Sequence, residues 1–344
     1  MKFSLFVHME RSSPDVSHSQ LFSDLEELVL LSERAGFETA WIGEHHGMEF
    51  TIAPNPFVQL AYLGAKTSKI RLGTGNVVAP FWHPIKLAGE AALTDIATAG
   101  RLDLGIARGA YVFEYERLSP GLDAWGAGQR MREIVPAVKR LWEGDYAHNG
   151  EFWSFPKTTS SPKPVQKNLP IWIAARDPNS HDFAVANGCN VQVTPLASGD
   201  QEVSTLMERF RAACAAHPQV PKPKIMLLQH TFVSDGPSET QEYAEALSRF
   251  YCEFGSWFQN KRNVSQGFLE PLSTADREAM PQFAPDVIAR NLVIGEPTEV
   301  IRRLKAYEAL GYDQYSLWID SGLSHQKKRK SLELFIEHVL PAFA

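Results

Sequence analysis

The chain has 344 residues, 44% of them hydrophobic and 22% charged, with a formal net charge of −6. That balance supplies a large globular core and speaks against nucleic-acid binding, and no run approaches the roughly 18 apolar residues of a membrane span. Three scattered cysteines, Cys189, Cys214 and Cys252, make no CxxC or CxxH pattern, so structural zinc is not indicated and a reducing, cytoplasmic setting is expected.

Short apolar segments alternate with amphipathic helices from the start. "KFSLFVH" is a first strand; "LFSDLEELVLLSERAG" follows with Leu21, Leu25, Leu28 and Val29 at helical spacing and a stop at Gly36. "FETAWIG" is a second strand, and "NPFVQLAYLGAKTS" its helix, opened by Pro56. "KIRLGTGNVV" with "HPIKLAGEAALTDIATAG" is the third pair, and "RLDLGIARG" with "AGQRMREIVPAVKRLWEG" the fourth, its helix carrying Pro136 as a candidate kink. The Pro-, Lys- and Ser-rich stretch 146–170 reads as an excursion across the surface. "PIWIAA", "CNVQVTP" and "KPKIMLLQHTFVS" are strands five to seven, separated by helices in "SHDFAVANG" and "EVSTLMERFRAACAAH". A helix near Glu239 to Phe254 comes next, after which 255–285 loses clear period and is a candidate lid. "EPTEVIRRLKAYEALG" and an eighth strand in "YDQYSLWID" complete the series. Eight such units without a linker predict one α/β domain over 1–344, a (β/α)8 TIM barrel rather than an open doubly wound sheet.

The C-terminal strand ends of such a barrel carry its chemistry. Strand two ends in the acid and paired histidines Glu44, His45 and His46; other ends offer His8, Arg108, Asp177, Thr194, His230 and Asp320. A metal centre is disfavoured, since adjacent His45 and His46 point to opposite sides of an extended chain. A phosphate site fits better: Arg108 stands beside Gly109, and Asp177 and Ser180 precede a helix whose free N–H groups attract anions. The alternative is that Asp177 and Ser180 merely cap that helix. Gly73 and Gly75 in "GTGNVV" point either to a flat ring lying on the strand or to a bulge or tight packing. Tyr111, Phe81 and Trp318 are candidate walls of an apolar substrate pocket, with core packing as the alternative.

"AGFETAWIGEHHG", "IRLGTGNVVAPFWHPIKLAGEAALTDIATAGRLDLGIARG" and the tail "GEPTEVIRRLKAYEALGYDQYSLWID" closely resemble the bacterial luciferase-like, flavin-dependent monooxygenases. The resemblance implies a barrel that uses reduced FMN and O2, with a separate flavin reductase and a homodimer through early helices. It places His45 at the catalytic histidine and Glu44 at the acid beside the flavin. Gly75 and Asn76 fall where the ring packs, often at a non-prolyl cis peptide; Arg108 on the phosphate; Asp177 and Ser180 at its second contact; Thr194 at a further flavin contact. Ala107 stands where luciferase proper has a reactive cysteine, which points away from light emission and a long-chain aldehyde. Two other functions remain open on this barrel: hydride transfer with a deazaflavin, and non-catalytic flavin binding.

Overall fold

The eight expected strands close into a ring. The computed structural model describes residues 1–343. Its first half runs β1 (Lys2–Val7), α1 (His18–Arg34), β2 (Thr39–Ile42), α2 (Pro56–Lys66), β3 (Arg71–Thr74), β4 (Val77–Val78), α3 (Pro84–Ala97), β5 (Leu102–Ala107), α4 (Val112–Leu118) and α5 (Ala124–Glu143). A hairpin of β6 (Tyr146–Asn149) and β7 (Ser154–Thr158) leads to β8 (Ile171–Ala174), α6 (Pro178–Ala186), β9 (Asn190–Val193), α7 (Asp200–Ala216), β10 (Ile225–Val233) and α8 (Pro237–Gln259). The last part holds β11 (Val264–Ser265), β12 (Phe268–Leu269), α9 (Thr274–Glu278), α10 (Pro285–Asn291), β13 (Val293–Gly295), α11 (Pro297–Ala309), β14 (Gln314–Trp318) and α12 (His325–Leu334).

The parallel ladder passes β14, β1, β2, β3, β5, β8, β9 and β10, and β10 pairs back onto β14 from Met226↔Gln314 to His230↔Trp318. This is the (β/α)8 barrel. Its strands are buried on both faces, every residue of β2 and of β14 included, because helices cover them outside and side chains fill them inside. Pro56, Pro84, Pro178 and Pro297 each open a helix, where a missing N–H costs nothing. Among the described residues, no helix is long and apolar enough to cross a membrane.

The barrel interior crowds the two glycines of "GTGNVV". Gly73 lies in register with Trp41, and a Cβ there would sit 2.2 Å from the indole. A Cβ on Gly75 would sit 2.8 Å from Phe6. Phe6 is itself in register with Trp41 on one side and Trp318 on the other. Both positions therefore face an aromatic plug that leaves no room for a Cβ, which is tight packing whether or not a ring also lies on the strand.

Two stretches differ from the sequence expectation. A short helix, α4, follows β5 in a stretch for which the sequence reading named no element. The helix expected to end near Phe254 continues to Gln259, because Trp257 goes on burying the same face. Beyond it, 255–285 is structured: β11 and β12 pair through a turn at Gln266 and Gly267, both left-handed, as a tight hairpin requires. The hairpin tip rests on the loop after β2, where the Glu49 N–H donates to Gly267 O at 2.9 Å.

Candidate active site

His45 and His46 leave β2 toward different neighbours. The His45 Nδ1 lies 3.1 Å from Glu114 Oε2, and the His46 backbone N–H donates to Glu114 Oε1 at 2.7 Å. Glu114 sits on α4 and is only 1% exposed. A carboxylate can only accept, so in the neutral ring the His45 proton belongs on Nδ1 and Nε2 carries the lone pair. The His46 ring turns to Glu44, with Nε2 at 2.8 Å from Oε1. Burial works against a charged His46, but the Glu44 carboxylate outweighs it and its pKa is raised. Glu44 also accepts from Val78 N at 2.7 Å and Trp82 Nε1 at 2.8 Å. Its oxygens therefore tie β2 to β4.

An aromatic cup surrounds His45. Tyr111, just before α4, lies 5.0 Å from the His45 ring, and Phe254 of α8 lies 6.0 Å from Tyr111 and 6.3 Å from Trp318. His230 stacks on Trp318 at 4.0 Å, and His8 lies 5.5 Å from His45. Burial pushes His230 down to about 3, and burial together with His45 and His230 holds His8 well below its ordinary value, so both are neutral near pH 7. Burial, then Glu114, pushes the Tyr111 phenol well up. Tyr111 and Trp318 thus share the cup. Phe81 stands apart, against His46 at 5.7 Å and Tyr115 at 6.1 Å.

The Gly75–Asn76 peptide bond is cis. The Asn76 amide N–H donates to Gln192 Oε1, and the buried Gln192 Nε2 has no partner. Arg108 is exposed at the end of β5, its guanidinium bonded to Ala124 O at 3.0 Å. Past the end of the adjacent strand β8, Asp177 caps α6: it accepts from Ser180 N at 3.1 Å and Ser180 Oγ at 3.0 Å. Burial raises the Asp177 pKa but these hydrogen bonds lower it further, and the net shift is down. The Ser180 hydroxyl is committed to that cap, also accepting from Arg176 N at 3.1 Å. Arg132 of α5 reaches Asn179 O at 3.3 Å, a second guanidinium at the start of α6. Thr194, half-buried past β9, accepts from Leu196 N at 3.1 Å. Among the described residues, no group of three or more His, Cys, Asp or Glu side chains is placed to hold a metal ion.

Sequence reading missed Glu114, Gln192 and the aromatic face of α8. The last left a signal in "RFYCEFGSWF", whose Phe250, Phe254, Trp257 and Phe258 recur at helical spacing. Glu114 left none, since it meets His45 across 69 residues of chain.

The sequence pattern described as luciferase-like monooxygenase matches residues 1–314. The oxygenase component of a flavin-dependent trigonelline monooxygenase from Acinetobacter baylyi (strain ATCC 33305 / BD413 / ADP1) is 59% identical over 345 residues, covering 100% of this chain and 96% of that protein. Among solved structures, the monooxygenase RslO1 from Streptomyces bottropensis superposes with a TM-score of 0.83 at 26% identity, covering 100% of both chains. The oxygenating constituent of 3,6-diketocamphane monooxygenase from Pseudomonas putida, in complex with FMN, shares the fold at a TM-score of 0.78 and 19% identity, over 99% of this chain and 98% of that one. With its family pattern spanning 1–314 and a monooxygenase relative matched end to end, the chain belongs to the luciferase-like monooxygenase family and is an enzyme.

Proposed function

We propose that this enzyme is the oxygenase component of a two-component monooxygenase, taking reduced FMN from a separate reductase and inserting one oxygen atom of O2 into a small, flat organic substrate. The observation that carries this reading is the His45–Glu114 pair set inside an apolar aromatic cup at the C-terminal mouth of the barrel. The side chains present fit a flavin. Gln192 offers an unpartnered buried N–H beside Asn76, a match for the polar edge of a flat ring. Arg108 offers a guanidinium with one protein bond, beside the capped start of α6 that Asp177 and Ser180 shape. Asn76, Gln192 and Thr194 would hold the ring, and Arg108 the phosphate. Reduced flavin, when bound, supplies the electrons that activate O2.

His45 Nε2 then accepts or donates the proton at the reacting edge, and Glu114 holds its tautomer. Glu44 and His46 fix the strand end. Tyr111, Phe254 and Trp318 keep water from the reaction, and the β11–β12 hairpin is the lid that completes that exclusion. The 59% identical relative acts, by its name, on trigonelline, an N-methylated pyridine carboxylate. A flat cationic ring suits aromatic walls, so we take N-methylated pyridines as the substrate class. Val58 and Tyr62 of α2 and Leu93 and Ile96 of α3 are exposed apolar side chains, which supports a homodimer through these helices; a monomer by light scattering would sink that part.

Purified protein, a flavin reductase, FMN and air would be assayed for trigonelline loss by mass spectrometry, beside carbonyl, sulfur and amine panels. Oxygen-dependent loss of trigonelline with FMN, and none with reduced deazaflavin, is expected. Turnover that needs deazaflavin and not O2 would replace the reading with hydride transfer.

A further inference from the structure

His8 fills the top of the barrel from inside. Phe6 stands two residues back, and its ring lies 4.5 Å from the His8 imidazole, so both side chains point into the barrel. The His8 backbone N–H donates to Asp320 Oδ2 at 2.7 Å, which pins the strand end. One residue past the Val7↔Ile42 pair of the ladder, His8 stands beside Gly43. A Cβ on Gly43 would sit 3.0 Å from His8 Nε2 and 3.3 Å from Gly75 O. Both atoms border the gap that this glycine leaves, so His8 Nε2 faces the strand end proposed above to hold the flat ring.

Thr51 decides which nitrogen of His8 carries the proton. Its hydroxyl lies 3.2 Å from Nδ1, has no other partner among the described residues, and belongs to a residue only 1% exposed. Were Nδ1 the donor, the Thr51 O–H would be stranded away from water, which is costly. Thr51 therefore donates, and the ring, neutral near pH 7, carries its proton on Nε2. That N–H has no acceptor among the described residues, although His8 is only 7% exposed. A buried donor of this kind calls for a partner. His45, 5.5 Å away, has the opposite polarity, since its Nδ1 is spent on Glu114 and its Nε2 carries a lone pair. The mouth thus holds a donor and an acceptor next to each other, each beside an aromatic wall: Trp318 lies 5.2 Å from His8, and Tyr111 5.0 Å from His45.

We propose that His8 is the specificity residue for a carboxylate on the substrate, its Nε2–H donating to a carboxylate oxygen while the substrate ring lies against the aromatic walls and His45 faces the reacting edge. This rests on the N-methylated pyridine class assigned above and adds the acid group to it. In an N-methylpyridine carboxylate the two charges need different surroundings. The ring cation takes the aromatic walls, and the carboxylate, once out of water, needs a donor. His45 Nε2 meets it with a lone pair and repels it; His8 Nε2 meets it with a hydrogen. A neutral imidazole also adds no charge to a ligand whose own charges cancel.

The test titrates trigonelline, and N-methylpyridinium chloride, which lacks the carboxylate, into the full-length protein in saturating oxidised FMN by calorimetry. FMN affinity is measured by fluorescence in each variant. The parent should bind trigonelline about ten-fold or more tighter than N-methylpyridinium, the range of a hydrogen bond to a charged group. His8→Leu should lose that margin, with N-methylpyridinium and FMN affinities held within roughly two-fold. His8→Gln, whose amide N–H reaches the Nε2 position, should recover most of it. Thr51→Val, which removes the hydroxyl that sets the tautomer and keeps its branched shape, should narrow the margin roughly three-fold or more and serves if His8→Leu fails to fold. A margin unchanged from the parent's in either folded variant overturns the assignment, and so does an equal loss of both ligands and FMN, which a merely structural His8 would give. A parent that binds the two pyridinium ligands equally keeps the substrate class and removes the His8 anchor; a parent that binds neither removes the class, and the anchor with it.

Discussion

Glu114→Gln separates the charge of the His45 partner from its shape. The Gln carbonyl keeps the acceptor that the His46 N–H needs at 2.7 Å, because losing it would strand a buried donor. The amide nitrogen then faces His45 Nδ1, 3.1 Å away in the parent, and can only donate. The imidazole must move its proton to Nε2 and loses the lone pair there. A hydrogen bond to a charged group contributes about 1.5–3 kcal/mol net, and each 1.4 kcal/mol is tenfold in rate, so kcat should fall roughly 10- to 150-fold. The assay is substrate-dependent oxygen consumption at saturating reductase and FMN, with FMN affinity and Tm as controls that should hold. Groups acting as one unit are not additive, so Glu114→Gln in a His45→Ala background should cost nothing further. A kcat within two-fold of the parent, or full additivity in the double variant, would falsify the tautomer argument.

Arg108→Ala removes a guanidinium with a single protein bond, so it should leave Tm unchanged and weaken FMN roughly 10- to 150-fold by the same charge-assisted range; equal FMN affinity by fluorescence titration would remove Arg108 from the phosphate site. Gly73→Ala drives a methyl into a Trp41 ring that is fully buried against Trp172, and overpacking of about 1–3 kcal/mol should lower Tm by several degrees; an unchanged Tm would mean that the floor yields freely. Glu10 carries a pH signature. Burial, opposed by Lys328 and aided by Asp320, raises it from 4.5 to about 7. A carboxyl raised in the folded state stabilises below its unfolded value and loses that contribution as pH climbs through the folded one. Glu10→Gln should therefore gain on the parent between pH 5 and pH 8, by up to about 3 kcal/mol in urea unfolding; a constant difference across that window would refute the assignment.

The barrel was readable because each unit states itself locally. "TAWI" and "QYSLW" are continuous apolar runs, as strands buried on both faces must be, and the helices announce their starts with Asn55–Pro56 and Asp177–Pro178. The start of α6 was readable as a helix start for the same reason. "RDPNS" looks alike whether it binds an anion or closes a helix, and the coordinates show that Asp177 and Ser180 are spent on each other. Arg108 and Arg132 each make one hydrogen bond to a backbone carbonyl near this corner, and Arg132 reaches it from α5, invisible to any local motif.

Glu44 and Glu114 show why the rest was not legible. Both are buried carboxylates beside the histidine pair, and chain proximity favours Glu44 as the chemical partner. The structure exchanges the roles. Glu44 accepts three hydrogen bonds from the strand end and its surroundings, which leaves it a brace. Glu114 arrives on α4, seven residues of helix after β5, and meets both His45 and the His46 backbone. Sequence distance carries no information about such a meeting, because the sheet order β2–β3–β5 is what brings the ends of β2 and β5 to one mouth. On the reading proposed above, a His45 braced from its own strand would follow only β2, whereas one held from α4 also follows the segment that carries Tyr111, the residue beside its ring.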